Sequence, residues 1–292
     1  MHQLKAYRNQ LAHTPDQPLS LLSLIAAVAI SPGAKDELKK EGIGYFDSGG
    51  SLFIPASSAL VLFDKPTPKT ITRVIRNLFS GTRRRVAHAL LMLPRDNWHG
   101  VNELAGVAHV SPATASEVMH EMERLGWLRA RGEGPAKKRI LEEPGALLDA
   151  WVDQLKHLRQ ESLRRYFVPV LTSQLEAQVE RTFAKNLAPY AITHEAAAQR
   201  YSAFLTHVSQ LHCRLAIGTE VNRALRDLDL KPVTEGANLI IHETQREDAL
   251  LFRQRIDNLW LASPVQVYLD LVRSEGRAKE MADHLRRHVI KA

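Results

Sequence analysis

The chain has 292 residues, which is more than one typical domain core encloses, and two or three domains are therefore expected. Its 39 Lys and Arg against 32 Asp and Glu give a formal net charge of +7 at pH 7, a balance that suits a nucleic-acid partner. Cys213 is the only cysteine, which excludes an internal disulfide and a cysteine zinc site and favours a reducing compartment such as the cytoplasm.

The first segment, residues 1–69, alternates short strand-like and helix-like patterns and predicts a small α/β unit. Its apolar run over 19–30 is too short to span a bilayer, so no membrane association is expected. Ser31, followed by proline, favours a helix start, and the turn at 48–50 predicts a β-hairpin. Asp47 precedes that turn as the first acid of a metal-dependent nuclease could, but no second acid with a lysine follows on the next strand. Turn capping is therefore the favoured role of Asp47.

Residues 70–145, after a proline-marked linker at 66–68, carry the pattern of a winged helix-turn-helix. A first helix is predicted over 82–93, where apolar residues recur at helical spacing behind three arginines. Pro94 forbids its continuation. A second, shorter helix is predicted over 101–108.

A third helix is predicted from Pro112 to about Leu125, because Ser111 suits an N-cap and proline suits the first helical position. Its apolar residues form one stripe, and its polar residues lie on the opposite face, as in a recognition helix that enters the major groove. The apolar stripe consists of Ala115, Val118, Met119, Met122 and Leu125.

A strand from Trp127 to Arg131, a glycine-rich tip and a return strand over 137–141 predict a basic wing. Such a hairpin can lie along DNA phosphates, whose neutralisation supplies much of the affinity of these modules. The predicted DNA-binding residues are Arg83, Arg84, Arg85, Ser111, Ala113, Thr114, Ser116, Glu117, His120, Arg129, Arg131, Lys137, Lys138 and Arg139. Acidic side chains on the third helix leave an alternative open, in which the winged helix contacts protein only.

One long helix is predicted over 146–165, with Leu147, Trp151 and Leu163 near one apolar stripe. It is expected to connect the winged helix to the last domain, and dimerisation through it is an alternative. Residues 166–292 predict a sheet covered by helices. The expected fold class is therefore α+β (mixed) and multidomain, with a small N-terminal α/β unit, a central winged helix-turn-helix and a C-terminal α/β domain.

The last domain shows little recognisable chemistry. Its histidines His194, His207, His212 and His242 are scattered, without the spacing of a metal-binding motif. A glycine-rich phosphate loop and the paired carboxylates of a nucleotidyltransferase are both missing from the sequence. Each histidine is expected to be structural or exposed, so the sequence predicts no catalytic residue, no metal site and no cofactor.

The closing segment reads SPVQVYLDL from Ser263 and GRAKEMADHLR from Gly276. It resembles the C-terminal signature of the AbiEi-like antitoxin and transcriptional regulator family of type IV toxin-antitoxin systems. Residues 190–197 and 236–241 are similar to further parts of that family. The resemblance implies a DNA-binding regulator that represses its own operon, with a C-terminal domain that counteracts a nucleotidyltransferase toxin.

The sequence therefore predicts a cytoplasmic, non-enzymatic, sequence-specific DNA-binding regulator, an autorepressing antitoxin-like protein of a type IV toxin-antitoxin or mobile-element locus. Its expected partner is double-stranded DNA, and possible further partners are a nucleotidyltransferase-type toxin and a second copy of the chain. Two alternatives stay open: a nuclease-related or nucleotidyltransferase-like enzyme built on the flanking α/β domains, and an adaptor that uses the winged helix on protein.

Overall fold

A computed structural model describes residues 22–27, 30, 32–55, 60–65, 78–156, 162–204, 208–216, 218–244, 250–274 and 276–292. Over these residues the chain is a mixed α/β protein, as its sequence indicates, and it contains three sheets and ten α-helices. It divides into two compact units, residues 1–74 and residues 75–292. The expected linker at 66–68 and boundary at 69–70 lie outside the described residues.

The first unit holds one described helix and a four-stranded sheet in the order β1-β2-β3-β4. Their bounds are β1 Leu24–Ala27, α1 Pro32–Lys40, β2 Gly44–Asp47, β3 Leu52–Pro55 and β4 Leu60–Phe63. β1 runs parallel to β2, and the remaining pairs are antiparallel. The rings of Tyr45 and Phe53 lie 5.5 Å apart in the core of this unit, together with Leu38 of α1. The predicted helix and hairpin are both confirmed.

Three helices and a hairpin follow, and we call residues 78–143 the trihelical segment. Their bounds are α2 Arg83–Met92, β5 His99–Gly100, α3 Val101–Ala108, α4 Pro112–Arg124, β6 Leu128–Arg131 and β7 Lys138–Leu141. The three strands form an antiparallel sheet in the order β5-β7-β6. Val118, Met119 and Met122 of α4 are fully buried, which confirms the predicted apolar stripe.

The helix predicted over 146–165 is wrong in its second half. α5 spans only Pro144–Leu155, and Leu163–Phe167 form the strand β8. Ladder hydrogen bonds with a neighbouring strand outweigh the helical periodicity of this stretch, since tertiary context overrides local propensity. Leu163, expected on the buried stripe of a helix, lies on a strand and is 37% exposed.

The remaining chain builds a seven-stranded sheet with helices. Their bounds are α6 Thr172–Lys185, β9 Tyr190–Thr193, α7 His194–Tyr201, β10 Leu211–Ala216, α8 Thr219–Asp227, β11 Lys231–Pro232, β12 Leu239–Thr244, β13 Gln254–Ile256, β14 Leu259–Leu261, α9 Pro264–Leu271 and α10 Arg277–Leu285, followed by a π-helical turn Arg286–Ile290. The strand order is β11-β8-β12-β10-β9-β14-β13. β10 and β12 are parallel at the centre, with β8 and β9 antiparallel on either side of the pair. The sheet covered by helices that the sequence predicts is therefore present.

The trihelical segment packs against this sheet-containing part, within the second compact unit. The Nε2 atom of His88 in α2 lies 2.6 Å from Oγ of Ser263, at the start of α9. The Arg95 guanidinium donates a hydrogen bond of 3.1 Å to the carbonyl of Ile290. The ring of Phe79 also stacks at 5.3 Å on that of Trp151 in α5, the helix between the two regions. The two regions that the sequence treats as separate domains thus belong to one packed body.

Over the described ranges, every helix is too short or too polar to cross a lipid bilayer.

Candidate functional site

The outer face of α4 presents small polar side chains. Ser111 caps the helix, since its Oγ accepts the backbone N–H of Thr114 at 3.1 Å and lies 2.9 Å from Thr114 Oγ1. Ser116 and His120 follow at helical spacing and are exposed, as is Ala113. This face therefore carries hydroxyl and imidazole groups that can exchange hydrogen bonds with a ligand.

An ion pair joins α2 to α4 beside this face. The Arg83 guanidinium lies 2.8 Å from the carboxylate of Glu117. Arg85 donates a hydrogen bond of 3.3 Å to the carbonyl of His109, which adopts a left-handed backbone at the turn between α3 and α4. Arg84, the residue between Arg83 and Arg85 in the sequence, is half-buried. The negative charge of Glu117 is thus balanced within the protein.

The hairpin of β6 and β7 has one strongly basic face. Arg131 pairs directly with Lys138 across the ladder, and both side chains are exposed. Arg129 lies on the same face, because side chains two residues apart on a strand point to the same side. The guanidinium carbons of Arg129 and Arg131 lie 5.5 and 4.3 Å from the ring centroid of Trp98. Arg129 also forms a 2.7 Å ion pair with Glu142.

The other face of the hairpin is fastened to α4. Arg139 Nε and Lys137 Nζ each lie 2.8 Å from a different carboxylate oxygen of Glu123. The hydrogen bond from Lys137, with that from Arg139, holds the pKa of Glu123 below its usual range against the opposing effect of burial. Arg139 is 5% exposed, so the residue that the sequence predicts as a phosphate contact lies inside the protein. Its position opposite Ala130 in the ladder places it on the inner face.

A cavity of about 270 Å³ opens on one face of the seven-stranded sheet. Strand register brings alternate residues of three neighbouring strands to that face, and α9 with the turn after it forms the opposite wall. The lining residues are Leu163 and Arg165 of β8, Ile240 and His242 of β12, His212 and Arg214 of β10, and His194, Asp270, Arg273 and Ser274.

Three histidines meet in this cavity. Nδ1 of His212 lies 2.9 Å from Nε2 of His242, and the ring of His194 stacks on that of His212 at a centroid distance of 4.0 Å. One ring nitrogen from each residue lies within 4.8 Å of the other two. The sequence interpretation of these histidines as scattered is therefore wrong for these three, while His207 lies outside the described residues. Alternation along β10 and β12 is the signal that could have indicated the cluster, but only once the strand pairing was known.

The surroundings of His212 favour the neutral form of its imidazole. Burial lowers its pKa to about 2, and the neighbouring His194 and His242 add to this shift. A neutral imidazole keeps one nitrogen lone pair that can accept a hydrogen bond or bind a metal ion.

A buried ion pair closes the wall of the cavity. Arg214 donates from Nε to Asp270 Oδ2 at 2.7 Å and from Nη2 to Oδ1 at 2.5 Å. The hydroxyl of Thr193 and the amide of Gln266 also donate to this carboxylate. Burial opposes ionisation, but Arg214 holds the pKa of Asp270 well below its usual range. Asp270 is thus saturated with donors and acts as a structural anchor.

Asp47 in the first unit has the capping role that its sequence position indicates. Its Oδ1 accepts the backbone N–H of Ser51 at 2.9 Å, which closes the turn between β2 and β3. Lys35 lies 3.3 Å from the other oxygen and 2.6 Å from Ser51 Oγ, and Asp64 lies 3.3 Å from the same ammonium group. The ammonium group of Lys35 thus balances the negative charges of Asp47 and Asp64. In a metal-dependent nuclease a metal ion would occupy such a position.

The fold is that of a mixed α/β protein in which a basic helical segment is packed on a helix-covered sheet. Residues 139–291 match the family described as transcriptional regulator, AbiEi antitoxin, type IV toxin-antitoxin system. Because the match covers more than half of the chain, this protein belongs to that family of transcriptional regulators and antitoxins.

An ArsR family transcriptional regulator of known crystal structure is also similar to this chain. It shows 24% identity and a TM-score of 0.22, over 32% of this chain and 96% of that chain. No curated protein matches the chain.

Proposed function

We propose that this regulator binds double-stranded DNA through the trihelical segment, used as a winged helix-turn-helix. In this proposal α4 enters the major groove, and the outer face of the β6–β7 hairpin follows the phosphate backbone. The observation that carries the proposal is the pairing of Arg131 with Lys138 on an exposed ladder face, next to Arg129.

Like charges directly opposite each other destabilise a strand pair, so this arrangement costs the free protein stability. A phosphate between the two cations would turn that repulsion into attraction, and each neutralised phosphate also releases counterions. The indole ring of Trp98 makes cation-π contacts with both Arg129 and Arg131. Because these contacts already restrict the two side chains in the free protein, less side-chain entropy is lost on binding.

The composition of α4 suits base reading by small donors. Ser116, Thr114 and His120 can reach base edges or phosphates, and Ala113 offers an apolar contact to a thymine methyl group. Glu117 would repel DNA as an isolated charge, but Arg83 lies 2.8 Å from it. In the proposed complex Glu117 therefore orients Arg83 beside the backbone.

The family description extends the proposal to the whole chain. We propose that the protein represses its own operon and that the sheet-containing part, residues 162–292, counteracts a toxin of the nucleotidyltransferase type. A cell that carries such a neighbouring toxin should be rescued by the full chain. A chain with substituted DNA contacts should also rescue when both genes are driven from unrelated promoters, and failure of that variant would tie neutralisation to DNA binding.

The wing is tested by replacing Arg129, Arg131 and Lys138 together by Ala. Affinity for all DNA sequences should fall, and the slope of log Kd against log salt should flatten by up to about 0.9 for each lost phosphate contact. The matched control replaces three exposed cations on α8 and α10 by Ala, namely Arg223, Arg226 and Lys279, and removes the same net charge. Equal losses in both variants would show that net charge alone drives binding.

A single substitution separates the two faces of the hairpin. Arg139→Ala should lower stability while leaving the salt slope unchanged, because its guanidinium is bound to Glu123 inside the protein. Lys138→Ala on the neighbouring outer position should do the reverse. A change of salt slope with Arg139→Ala would move the phosphate contact to the inner face.

Base reading is tested on α4. Joint replacement of Thr114, Ser116 and His120 by Ala should reduce discrimination between the operator and random DNA, with each lost base contact worth about 1–3 kcal/mol. A proportional loss on both DNAs would make these residues positioning contacts. Absence of any DNA binding by the unmodified chain at low salt would replace the proposal with the protein-adaptor alternative.

A further inference from the structure

We infer that His194, His212 and His242 bind a divalent transition-metal ion of the zinc class. The site lies on the sheet, away from the residues proposed to contact DNA, and it stands independently of that proposal. Imidazole nitrogen suits zinc, copper, iron and nickel, whereas magnesium and calcium prefer oxygen ligands.

The distances fit a single ion. Nitrogens bound to tetrahedral zinc at about 2.0–2.1 Å from the metal lie about 3.3–3.4 Å from one another. The present separations run from 2.9 Å between His212 and His242 to at most 4.8 Å within the set, so they bracket that value. In the proposed site the ion replaces the hydrogen bond between His212 and His242 as the link between these two rings.

The backbone is arranged to bring the third ring to the other two. His194 follows Thr193, which lies directly opposite His212 in the β9–β10 ladder. The φ angle of His194 is +56°, a left-handed conformation that is unfavourable for a residue other than glycine. Hydrogen bonding of Thr193 to the buried Asp270 holds the strand end from which this turn departs.

The charges around the site permit a cation. Arg214 is the arginine buried beside the histidines, and its charge is balanced by the bidentate contact with Asp270. Arg165 and Arg273 lie at the exposed rim, where solvent weakens but does not remove their repulsion of a bound cation. Their positive charge favours a water-derived hydroxide or another small anion as the fourth ligand.

The cavity leaves room for that fourth ligand. A volume of about 270 Å³ far exceeds the roughly 30 Å³ that one water molecule occupies in the liquid. Three protein ligands with an open fourth position are the arrangement of zinc sites that bind an exogenous group, whereas structural zinc sites are closed by four protein ligands. Packing alone would fill this space with apolar side chains at a lower desolvation cost.

The test uses the full chain, stripped with a chelator and titrated with Zn²⁺ alone by calorimetry. One ion per chain should bind to this site. His212→Gln and His242→Gln should each weaken binding by at least the roughly 10–100-fold that loss of an outer partner of a metal ligand costs. Unchanged affinity in both variants would overturn the inference.

A second histidine pair provides the matched control. His284 and His288 on α10 and the following turn have ring centroids 4.4 Å apart, and their spacing of four residues could bind zinc on the protein surface. The double variant His284→Ala, His288→Ala should keep the site. Loss of zinc binding in this control, with binding retained in the cavity variants, would assign the ion to the surface pair and refute the cavity.

X-ray absorption of the zinc-loaded unmodified chain covers the case in which a cavity variant fails to fold. Three imidazole ligands and one oxygen are expected around zinc, and two or fewer imidazoles would contradict the site. Circular dichroism of the metal-free variants checks that their secondary structure is retained.

Discussion

The Nε2 atom of His88 lies 2.6 Å from the Oγ atom of Ser263, a residue 175 positions further along the chain. Both side chains are buried. Ser263 also accepts the backbone N–H of Gln266 at 3.1 Å, so one hydroxyl caps α9 and binds α2. Through this contact we expect the stability of the trihelical segment and that of the sheet-containing part to depend on each other.

Two matched serine caps measure that dependence. Ser111 and Ser263 each precede a proline and cap a helix, but only Ser263 is fully buried and bonded to a distant side chain. Ser111→Ala should cost about 1 kcal/mol of unfolding free energy, the typical value of an N-cap. Ser263→Ala should cost about 2–3 kcal/mol, because a buried hydrogen bond is lost as well. Urea unfolding measures both, and equal costs would mean that the His88 contact contributes nothing.

A truncation ending at Arg165 tests the same interface on a larger scale. It removes Ser263 and the carbonyl of Ile290 that binds Arg95, and it uncovers Leu91 of α2, which lines a space shared with Val265. The truncated chain should melt at a lower temperature and with weaker cooperativity than the full chain. Amide hydrogen exchange in α2 should also be faster, because the truncation removes the contacts that cover this helix. A trihelical segment with unchanged protection would show that it folds independently.

Breaking the buried ion pair of the cavity wall should strongly lower the free energy of unfolding. Arg214→Met leaves Asp270 charged and buried without its guanidinium partner, and a loss of about 3–5 kcal/mol in unfolding free energy is expected. Adding Asp270→Leu should recover most of it, since the uncompensated charge is then removed. The control is Arg164→Met, which breaks a half-exposed pair with Glu243 in the same sheet and should cost less than about 1 kcal/mol. Additive losses in the Arg214 and Asp270 double variant would contradict the pairing.

The first unit should lose stability in acid through Asp47. Burial opposes ionisation, but the backbone hydrogen bond from Ser51 and the ammonium of Lys35 hold the pKa of this carboxyl below its usual range. The native unit therefore binds the Asp47 proton less tightly than the unfolded chain, whose aspartates have a pKa of about 3.9. The stabilisation is present above that pH and is lost as the pH falls through the native pKa.

Asp47→Asn should lower stability at pH 7 and remove this part of the acid sensitivity. Exchange mass spectrometry on the peptide over 44–55, corrected for the intrinsic pH dependence of exchange, measures it between pH 3 and pH 7. Asp64→Asn is the control, because its half-exposed carboxylate should have the smaller effect. An unchanged pH profile in the Asp47 variant would place the acid-sensitive group elsewhere.

Local signals in the sequence sufficed for much of the fold. Ser111 with proline after it predicts the start of α4, and the 3.6-residue spacing of Val118 and Met122 predicts its buried face. Both depend on neighbours within two helical turns, and the structure confirms them. The turn between β2 and β3 and its capping by Asp47 were predictable for the same reason.

The remaining features depend on which strands pair. Leu163 continues a helical apolar spacing but joins β12 as a strand, because the ladder satisfies its backbone. Arg139 is a basic residue of the predicted wing, but its side chain faces inward. Successive side chains of a strand point to opposite faces of the sheet, and Arg139 lies opposite Ala130 in the ladder. Two of the three histidines come from β10 and β12, the third directly follows β9, and only the strand register brings them together. His194 and His242 are about fifty residues apart in the sequence, and a local sequence pattern does not extend over that distance.

Trp98 gives the wing an optical label. Its half-exposed indole lies under Arg131, whereas Trp127 and Trp151 are buried and Trp260 belongs to the sheet, where Arg253 covers its ring. A ligand that draws Arg131 away from the indole changes the polarity around one fluorophore out of four. The outer face of the hairpin can therefore be followed by its own emission, without an attached dye, and Trp98→Phe identifies its share of the signal.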